Sequence, residues 1–450
     1  MNSHDCLCKT RHFLVLGRLL LAFLAAWSAG AHPARADQTL RIATFNVSLY
    51  GSRAGEIAQR LQTGDDQQAR CLAEIIQRVR PDVLLVNELD YDADGATLDG
   101  FCKNYLAVAQ HASGAPAGPA DPIEYPHRYV APSNTGQPSG FDLNRDGQVG
   151  GPAGSDAYAG DCWGYGRYPG QYGMAVLSRY PIDEAAVRTF RQFRWVDLPG
   201  AHLPDDPATD AGGDWYPAAA LKQFPLSSKS HWDVPIRVGG RTIHLLGSHP
   251  TPPTYDGPED RNGLRNRDEI GFWVEYVGGH SSSGNGSDSP IVDDAGRHGP
   301  LAAGASFVIA GDLNGDPLDG DGPEGIRALL ASPRVRTDPI PASRGGAEQA
   351  ALQGGANANH RGDPAHDTCD PPDRPRPGNL RIDYVLPSRD LQVVDAGVFW
   401  PSTDDPLFPL TGVHPFPSSD HRLVWIDVSL EHPSLPGDAD DTHENAAKSP

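Results

Sequence analysis

Apolar positions near the start of the chain predict a strand, a helix and a second strand in succession. Residues 39–48 hold closely spaced apolar side chains, as a buried strand does. Residues 66–80 carry apolar side chains at helical spacing, and Pro81 follows them. Residues 82–86 form a continuous apolar run that leads to Glu88. Polar residues therefore stand at the ends of both predicted strands.

Later apolar runs predict a hairpin and several further elements. Residues 234–238 and 242–248 flank a Gly-Gly pair, which is typical of a hairpin turn, and the second strand leads to His249. The other predicted elements are strands over residues 173–178, 307–310, 381–386 and 423–428, and a polar helix over residues 262–276.

Segments rich in Gly, Pro, Ser and Asp interrupt this pattern. Residues 111–172, 278–304 and 340–378 are predicted to be long loop insertions. Residues 431–450 form an acidic, proline-containing tail that is predicted to be disordered.

The first 36 residues have the pattern of a signal peptide. Basic residues precede an apolar run over residues 19–27, and Ala34-Arg35-Ala36 supplies the small residues that a signal peptidase requires. The apolar run is too short to predict a transmembrane anchor. We therefore expect cleavage near Ala36 and a secreted protein, extracellular or periplasmic.

The charge of the chain is strongly acidic. The formal net charge is −21, and loss of the leader, with its four basic and one acidic residues, makes it about −24. Such a surface repels polyanions unless a basic patch or bound cations offset it, and no basic run occurs in the sequence.

Four cysteines remain after the leader is removed, namely Cys71, Cys102, Cys162 and Cys369. An even number of cysteines in an exported chain predicts two disulfides, with three connectivities open. Pairing of Cys71 with Cys102 is favoured, because the helix and strand between them can bring them together. None of the spacings resembles a zinc site.

The strongest candidate chemistry follows the strand over residues 307–310. Gly311 lets the backbone turn there, so that Asp312 and Asn314 project from the end of the strand. A carboxylate beside an amide suits an attacking water or a hard metal ion. An Asx-type turn is the alternative. An EF-hand calcium loop is disfavoured, because Pro317 stands where that loop requires glycine.

A second candidate metal site lies in the first insertion. Oxygen-bearing side chains alternate there as in the first half of a calcium loop. The predicted loop residues are Asp142, Asn144, Asp146 and Gln148. Ala153 occupies the place of the bidentate Glu, so Asp156 or Asp161 would have to complete the ligand shell. The alternative is an Asx-rich turn without an ion.

Further polar residues stand at other predicted strand ends. Together with the first pair they are Asn46, Glu88, His249, Asp312, Asn314, Asp383, Asp420 and His421. Asp383 lies within an apolar strand, where an unpaired carboxylate is costly, so we expect it to have a partner such as a histidine.

The short sequences around these residues resemble the endonuclease/exonuclease/phosphatase superfamily, which has the DNase I-like fold. The similar stretches occur in the order of the family and extend from about residue 40 to 430. They are Thr44-Phe-Asn-Val47, Val86-Asn-Glu88, Gly173-Met-Ala-Val-Leu-Ser178, the His249 turn, Gly311-Asp-Leu-Asn314, Ile382-Asp-Tyr384 and Ser419-Asp-His421.

The resemblance implies a four-layered α/β sandwich, in which two packed mixed β-sheets are flanked by helices. It also implies that residues 37–430 are one domain with its active site at the sheet ends. By position, Glu88 resembles the main metal-binding carboxylate of the family, with Asn46 and Asp420 close to the ion. The implied cofactor is Mg²⁺ or Mn²⁺, with a structural Ca²⁺ as the separate prediction above.

The same resemblance implies the catalytic roles. Asp312 and Asn314 resemble the pair that orients the attacking water and the phosphate. Asp383 resembles the orienting partner of His421, and His249 resembles a second imidazole over the phosphate. Gln171 falls near the place where abasic-site nucleases of the family have a tyrosine, which argues against the DNA-repair branch.

These features predict a secreted, metal-dependent phosphoester hydrolase, either a phosphatase or a nuclease. The acidic charge favours a small phosphoester substrate over duplex DNA. A catalytically inactive, calcium-stabilised binding protein on the same fold is the alternative, and the many clustered carboxylates argue against it. We expect a monomer without a stable protein partner.

Overall fold

The structure is a computed structural model that describes residues 39–279, 289–371 and 377–430. The predicted signal peptide, the acidic tail and part of the 278–304 insertion lie outside these ranges. The strands are β1 Thr39–Leu49, β2 Val83–Leu89, β3 His127–Tyr129, β4 Met174–Ser178, β5 Arg188–Thr189, β6 His231–Val238, β7 Arg241–Ser248, β8 Ser306–Asp312, β9 Asp383–Pro387, β10 Val393–Val398 and β11 Val424–Ser429.

The helices lie between these strands, and most are short. They are α1 Glu56–Arg60, α2 Gln67–Val79, α3 Ala96–Phe101, α4 Asp156–Gly160, α5 Ala218–Leu221, α6 Arg261–Gly278, α7 Glu324–Leu330 and α8 Arg344–Gln353. A π-helical turn, Cys102–Leu106, continues α3. Within the described ranges, none of the helices combines the length and the apolar character needed to cross a bilayer.

The strands form two mixed sheets, and both contain a parallel pair next to an antiparallel strand. The first sheet has the order β10-β11-β1-β2-β4-β3, and the second has the order β5-β6-β7-β8-β9. In the first, β1 is parallel to β2 and antiparallel to β11. In the second, β7 is parallel to β8, which is antiparallel to β9.

The two sheets pack face to face, and helices cover their outer faces. Leu40 and Ile42 of β1 belong to the apolar layer that also contains Trp232 and Val308 of the second sheet. Phe45, on the other face of β1, packs with the buried side of α2. Helices α6 and α7 pack on the outer face of the second sheet. The predicted four-layered α/β sandwich is confirmed.

Two of the predicted loop insertions contain regular structure. In residues 111–172, β3 pairs with β4 and extends the first sheet. In residues 340–378, the prediction of loop alone is wrong, because α8 forms there. Its N-cap is Ser343, whose Oγ accepts a hydrogen bond from the Gly346 N–H at 3.0 Å. Good helix formers follow the glycines at its start, and they outweigh the low helix propensity of glycine.

The predicted disulfides are wrong for this structure. Cys71, Cys102, Cys162 and Cys369 are all buried and free. Each has its own surroundings: the Gln67 side chain donates a hydrogen bond to Cys71 Sγ at 3.6 Å, and Cys162 Sγ donates to the Tyr158 carbonyl at 3.2 Å. The even cysteine count was therefore a misleading signal.

Candidate functional site

The directions of the strands bring the predicted polar residues to one edge of the sandwich. Because β1 and β2 run parallel and β11 runs against them, the ends of β1 and β2 meet the start of β11. The ends of β7 and β8 meet the start of β9 in the same way. The chain places all eight strand-end residues at these ends.

Asp312 lies at the centre of this group. Its Oδ2 accepts a hydrogen bond from Asn46 Nδ2 at 3.0 Å, which links the two sheets. The same oxygen is 3.3 Å from His249 Nε2 and 3.7 Å from His421 Nε2. Its Oδ1 accepts the Asn314 N–H at 2.9 Å. Both oxygens of one carboxylate thus contact groups from several strands.

Gly311 is required for this arrangement. Its φ is +145°, and a Cβ placed on it would lie 2.0 Å from the carbonyl oxygen of Ser248. Only glycine therefore lets β8 approach β7 so closely. This approach brings Asp312 next to His249, which follows Ser248 in the chain.

His421 is held by a carboxylate, as the sequence predicted for Asp383. His421 Nδ1 and Asp383 Oδ2 are 2.9 Å apart. The Thr368 hydroxyl donates to the same carboxylate oxygen at 2.8 Å and accepts the Asp383 N–H at 2.9 Å. This pair fixes the orientation of the ring and leaves Nε2 directed to the side of Asp312.

Glu88 presents a partly exposed carboxylate at the centre of the site. Its φ is +57°, an uncommon value for a residue other than glycine. Its Oε1 is 3.8 Å from His249 Nε2, and Glu88, His249 and Asp312 offer ligand atoms within 4.8 Å of one another. Burial raises the pKa of Glu88 to about 7, with a further increase from Asp420. A carboxylate in such a position fits a divalent cation.

Asp420 is tied to the end of β1 by hydroxyl groups. The Ser48 hydroxyl donates to Asp420 Oδ1 at 2.9 Å, and the Ser419 hydroxyl donates to the Asn46 carbonyl at 2.8 Å. Asn46 Oδ1 accepts the Ser48 N–H at 3.1 Å. The predicted metal residues Asn46 and Asp420 are therefore close together, and Glu88 follows on the adjacent strand.

Burial and opposite charge act against each other on the ionisable groups of the site. Burial favours neutral His421, but Asp383 and Asp312 reverse this effect and raise the His421 pKa well above its usual value. Burial also opposes ionisation of Asp312, but His421 and His249 outweigh it and lower the Asp312 pKa. Burial and the charge of Lys229 lower the pKa of His249 to about 4. An anionic Asp312 thus faces one cationic and one neutral imidazole.

Lys229 is a residue of the site that the sequence analysis missed. It is 6% exposed, and its ammonium interacts with Glu88 and Asp312 as well as with Glu269 of α6. Burial lowers its pKa, and these carboxylates oppose that effect. The only sequence signal was a lysine two residues before a strand, which is too common to single it out.

Glu269 connects the segments that carry Lys229 and His249. Its Oε1 accepts the Ser228 N–H at 2.6 Å, and its Oε2 accepts the Thr251 N–H at 2.6 Å. The sequence placed Glu269 only on a polar helix. In the structure, one buried carboxylate on α6 connects two loops of the candidate site.

A groove of about 920 Å³ opens from the site, lined by residues that include Tyr255, Asn314, Arg361, Cys369, Asp420 and His421. Tyr255 is 87% exposed at its rim. Tyr50 and Tyr172 form a second aromatic feature near Glu88, with ring centroids 4.6 Å apart. The Gln171 side chain is directed to Gly51 and donates a hydrogen bond to its carbonyl at 2.9 Å.

An acidic cluster lies near the groove and consists of Asp316, Asp319, Asp363 and Asp367. Asp367 is 6% exposed, and its Oδ2 has no hydrogen-bond partner among the described residues. Burial, together with the charges of Asp316 and Asp319, raises the pKa of Asp367 to about 8.

Among the described residues, the side chains of Asp142, Asn144 and Asp146 in the predicted calcium loop form their hydrogen bonds within the loop itself. Asp142 Oδ1 accepts the Asp146 N–H at 3.1 Å, and Asp146 Oδ1 accepts the Gln148 N–H at 2.9 Å. The Asn144 side chain also accepts the Asp146 N–H, at 2.9 Å. Asp161 Oδ1 accepts the Leu143 N–H at 2.7 Å. These are Asx-turn contacts, and calcium binding there stays a prediction.

The chain was compared with known proteins. The sequence profile of the Endonuclease/Exonuclease/phosphatase family matches residues 43–421. No curated protein matches the chain.

Similar solved structures have low sequence identity. An endonuclease/exonuclease/phosphatase from Beutenbergia cavernae is 16% identical, with 88% of this chain and 72% of that chain covered and a TM-score of 0.44. Sphingomyelinase C from Streptomyces griseocarneus is 15% identical, with 86% and 99% covered and a TM-score of 0.40. Beta toxin from Staphylococcus aureus is 14% identical, with 86% and 99% covered and a TM-score of 0.41.

Proposed function

Because the chain belongs to the endonuclease/exonuclease/phosphatase family, we propose that it is a divalent-metal-dependent hydrolase of phosphoesters. One observation carries the proposal. Asp312 lies between the cluster of Glu88 and His249 and the pair of His421 and Asp383, with ligand atoms within 4.8 Å in both groups. A base, an acid and a candidate metal carboxylate thus meet at one edge of the sandwich.

The proton transfers follow from the charges of these groups. Anionic Asp312 accepts a proton from the attacking water, which Asn314 helps to orient through its amide. Cationic His421 donates a proton from Nε2 to the leaving oxygen, while Asp383 keeps its ring in place. The product is a phosphate with one new P–O bond and a free alcohol. Solvent then returns the proton from Asp312 to His421.

The residues of the site fit a hard divalent cation. Glu88, Asn46 and Asp420 would hold it, since they offer oxygen atoms and the Glu88 carboxylate is partly exposed. A bound Mg²⁺ or Mn²⁺ supplies charge that stabilises the phosphoryl oxygens in the transition state. The buried Lys229 ammonium interacts electrostatically with Glu88 and Asp312 and would add positive charge to the site.

We further propose that the substrate is a small phosphoester and that the protein is exported. The formal charge of −21 and the acidic residues of the groove support a small substrate, because they repel a polyanion. The leader sequence supports export. Mass spectrometry of protein recovered outside the cytoplasm should show an N-terminus near Asp37, and a retained leader would contradict export.

The test of the function is a substrate panel with purified mature protein. It contains plasmid DNA, a phosphomonoester and the phosphodiester sphingomyelin, each with Mg²⁺ or Mn²⁺. We expect hydrolysis of a small ester, its loss in excess EDTA and its return when Mg²⁺ is restored. Full activity in excess chelator would contradict the metal mechanism. Nicking of plasmid DNA at catalytic protein levels would overturn the preference for small substrates.

The Glu88→Gln variant tests the metal carboxylate directly. It keeps the size of the side chain but removes the charge, so we expect an increased Mg²⁺ requirement and a strong loss of kcat. The matched control is Glu348→Gln, because Glu348 lies in α8 and its carboxylate accepts hydrogen bonds from the Thr403 N–H and hydroxyl. Equal activity of both variants would remove Glu88 from the proposed site.

A further inference from the structure

Cys369 lies beside the candidate site. Its Sγ, a carboxylate oxygen of Asp420 and a ring nitrogen of His421 lie within 4.8 Å of one another. All three residues line the groove. The backbone fixes this proximity, because Cys369 and His421 form an antiparallel bridge and the Asp370 N–H donates to the Asp420 carbonyl at 2.8 Å.

This set of donors differs from that of the proposed catalytic metal. A thiolate, a carboxylate and an imidazole suit Zn²⁺ and other thiophilic ions, whereas Mg²⁺ prefers oxygen alone. In the tetrahedral geometry of zinc, bonds of about 2.3 Å to sulfur and about 2.0 Å to nitrogen or oxygen place neighbouring ligand atoms about 3.5 Å apart. Small side-chain movements therefore suffice to bring the three atoms onto one ion.

The contact between His421 and Asp383 also suits a histidine that binds zinc. His421 Nδ1 is 2.9 Å from Asp383 Oδ2, which leaves Nε2 for a cation. Zinc-binding histidines almost always bond a carboxylate or carbonyl through the other ring nitrogen. The contact that orients His421 for proton transfer would therefore also support its binding of a metal.

We propose that Cys369, Asp420 and His421 form a second cation site, specific for thiophilic ions such as Zn²⁺, whose occupation inhibits the enzyme. Binding replaces the thiol proton of Cys369 by a metal–sulfur bond and the Nε2 proton of cationic His421 by a metal–nitrogen bond, and both protons pass to solvent without any change of oxidation state. Inhibition rests on the proposed function, because the ion removes His421 from proton donation and Asp420 from the proposed Mg²⁺ site.

Cadmium provides a test of binding that does not depend on activity. Full-length mature protein is titrated with Cd²⁺ in excess Mg²⁺, and thiolate-to-cadmium charge-transfer absorption is recorded in the ultraviolet. We expect saturable absorption with one Cd²⁺ per chain, absent in Cys369→Ser. Cys162→Ser is the matched control, because Cys162 is also a buried free thiol, and it should keep the absorption.

Zinc inhibition tests the consequence for catalysis. The activity of Cys369→Ser and of Cys369→Ala is first measured without zinc, and the zinc response of each variant is expressed relative to that activity. The Zn²⁺ concentration that halves activity should rise more than about tenfold in both, since even loss of a group that only supports a ligand weakens metal binding 10- to 100-fold.

The two measurements separate failure of this site from failure of the proposed function. Absorption that persists in both Cys369 variants overturns the site, and so does equal zinc sensitivity of wild type and variants. The cadmium absorption can be measured even if the protein has no hydrolase activity. Its presence or absence therefore tests the site on its own. If Cys369→Ser does not fold, Cys369→Ala replaces it in the cadmium titration. The thermal unfolding of the wild type is then also measured with and without Cd²⁺, and an unchanged unfolding temperature would overturn the proposed site.

Discussion

Asp312 and Asp367, two buried aspartates near the end of β8, have pKa values that are shifted in opposite directions. The pKa of Asp312 is lowered, because the neighbouring imidazoles His421 and His249 outweigh the effect of burial. The pKa of Asp367 is raised to about 8 by burial and by Asp316 and Asp319. Burial has the same sign in both cases. The charge of the neighbours therefore decides which carboxylate is ionised.

The comparison separates candidate catalytic acids from other acidic residues. An ionised carboxylate in a buried site can accept a proton from water, whereas a carboxyl group that is neutral at the same pH cannot. Neighbouring carboxylates act on the pKa of Asp367, whereas imidazoles act on that of Asp312. A count of clustered aspartates would not distinguish the two regions.

Removal of His421, the cationic neighbour of Asp312, should have the largest effect on this contrast between the two aspartates. We expect His421→Ala to reduce kcat by about 10²- to 10⁴-fold, because it removes the proposed proton donor. The measurement is steady-state hydrolysis of the best substrate, with circular dichroism to check the fold.

A second histidine–aspartate pair supplies the control for this variant. His244 Nδ1 lies 2.6 Å from Asp233 Oδ1 in the middle of the second sheet, away from the strand ends. We expect His244→Ala to keep kcat within a few-fold of the wild type. Unchanged kcat in His421→Ala would contradict the proposed mechanism.

Neutralisation of Lys229 should have the next largest effect. Lys229→Met keeps the apolar stem but removes the ammonium that interacts with Glu88 and Asp312. We expect kcat/KM to fall by about 10²-fold, as for loss of one fixed electrostatic group in other active sites. The exposed Lys222, replaced in Lys222→Met, is the control for loss of one positive charge. Equal kinetics of the two variants would give Lys229 only a structural role.

The smallest effect is expected for Asp367→Asn, and it should appear in stability instead of activity. In the folded protein the carboxyl group keeps its proton up to a pKa of about 8, whereas an unfolded aspartate loses it near 4. The unfolded state therefore binds fewer protons between these pH values, and wild-type stability falls as the pH rises. Asparagine does not titrate, so the variant should lack this loss.

Urea unfolding at about pH 5 and about pH 8 measures this difference. We expect Asp367→Asn to gain about 2 kcal/mol relative to the wild type between the two pH values, because one pKa unit corresponds to about 1.4 kcal/mol and the neighbours relax in part. Activity should be unchanged. A constant difference between the two proteins would mean that Asp367 is ionised throughout.

Much of the sandwich and the strand-end residues could be predicted from local sequence. The predicted helix over residues 66–80 matches Gln67–Val79, and the predicted hairpin matches β6 and β7. Short apolar runs identify buried strands, and the polar residues that follow them lie at strand ends in any sheet. The contact between Asp383 and His421 followed from the cost of an unpaired buried carboxylate.

Other features depend on contacts between distant parts of the chain and left no local signal. Lys229 is buried and interacts with Glu269 of α6, which Ser228 and Ser230 on either side do not indicate. The pKa of Asp367 depends on residues about fifty positions earlier. The cysteine count predicted disulfides, but burial of each thiol in separate surroundings cannot be derived from spacing.

The return of the chain to the first sheet has a consequence for biosynthesis. Asn46 and Glu88 are made early, but β11 pairs with β1, and Asp420 and His421 immediately precede it. The candidate site is therefore incomplete until β11 has left the ribosome and has joined β1. A nascent or prematurely terminated product that ends before residue 420 lacks the proposed proton donor, so the first sheet and the proposed catalytic groups are completed together.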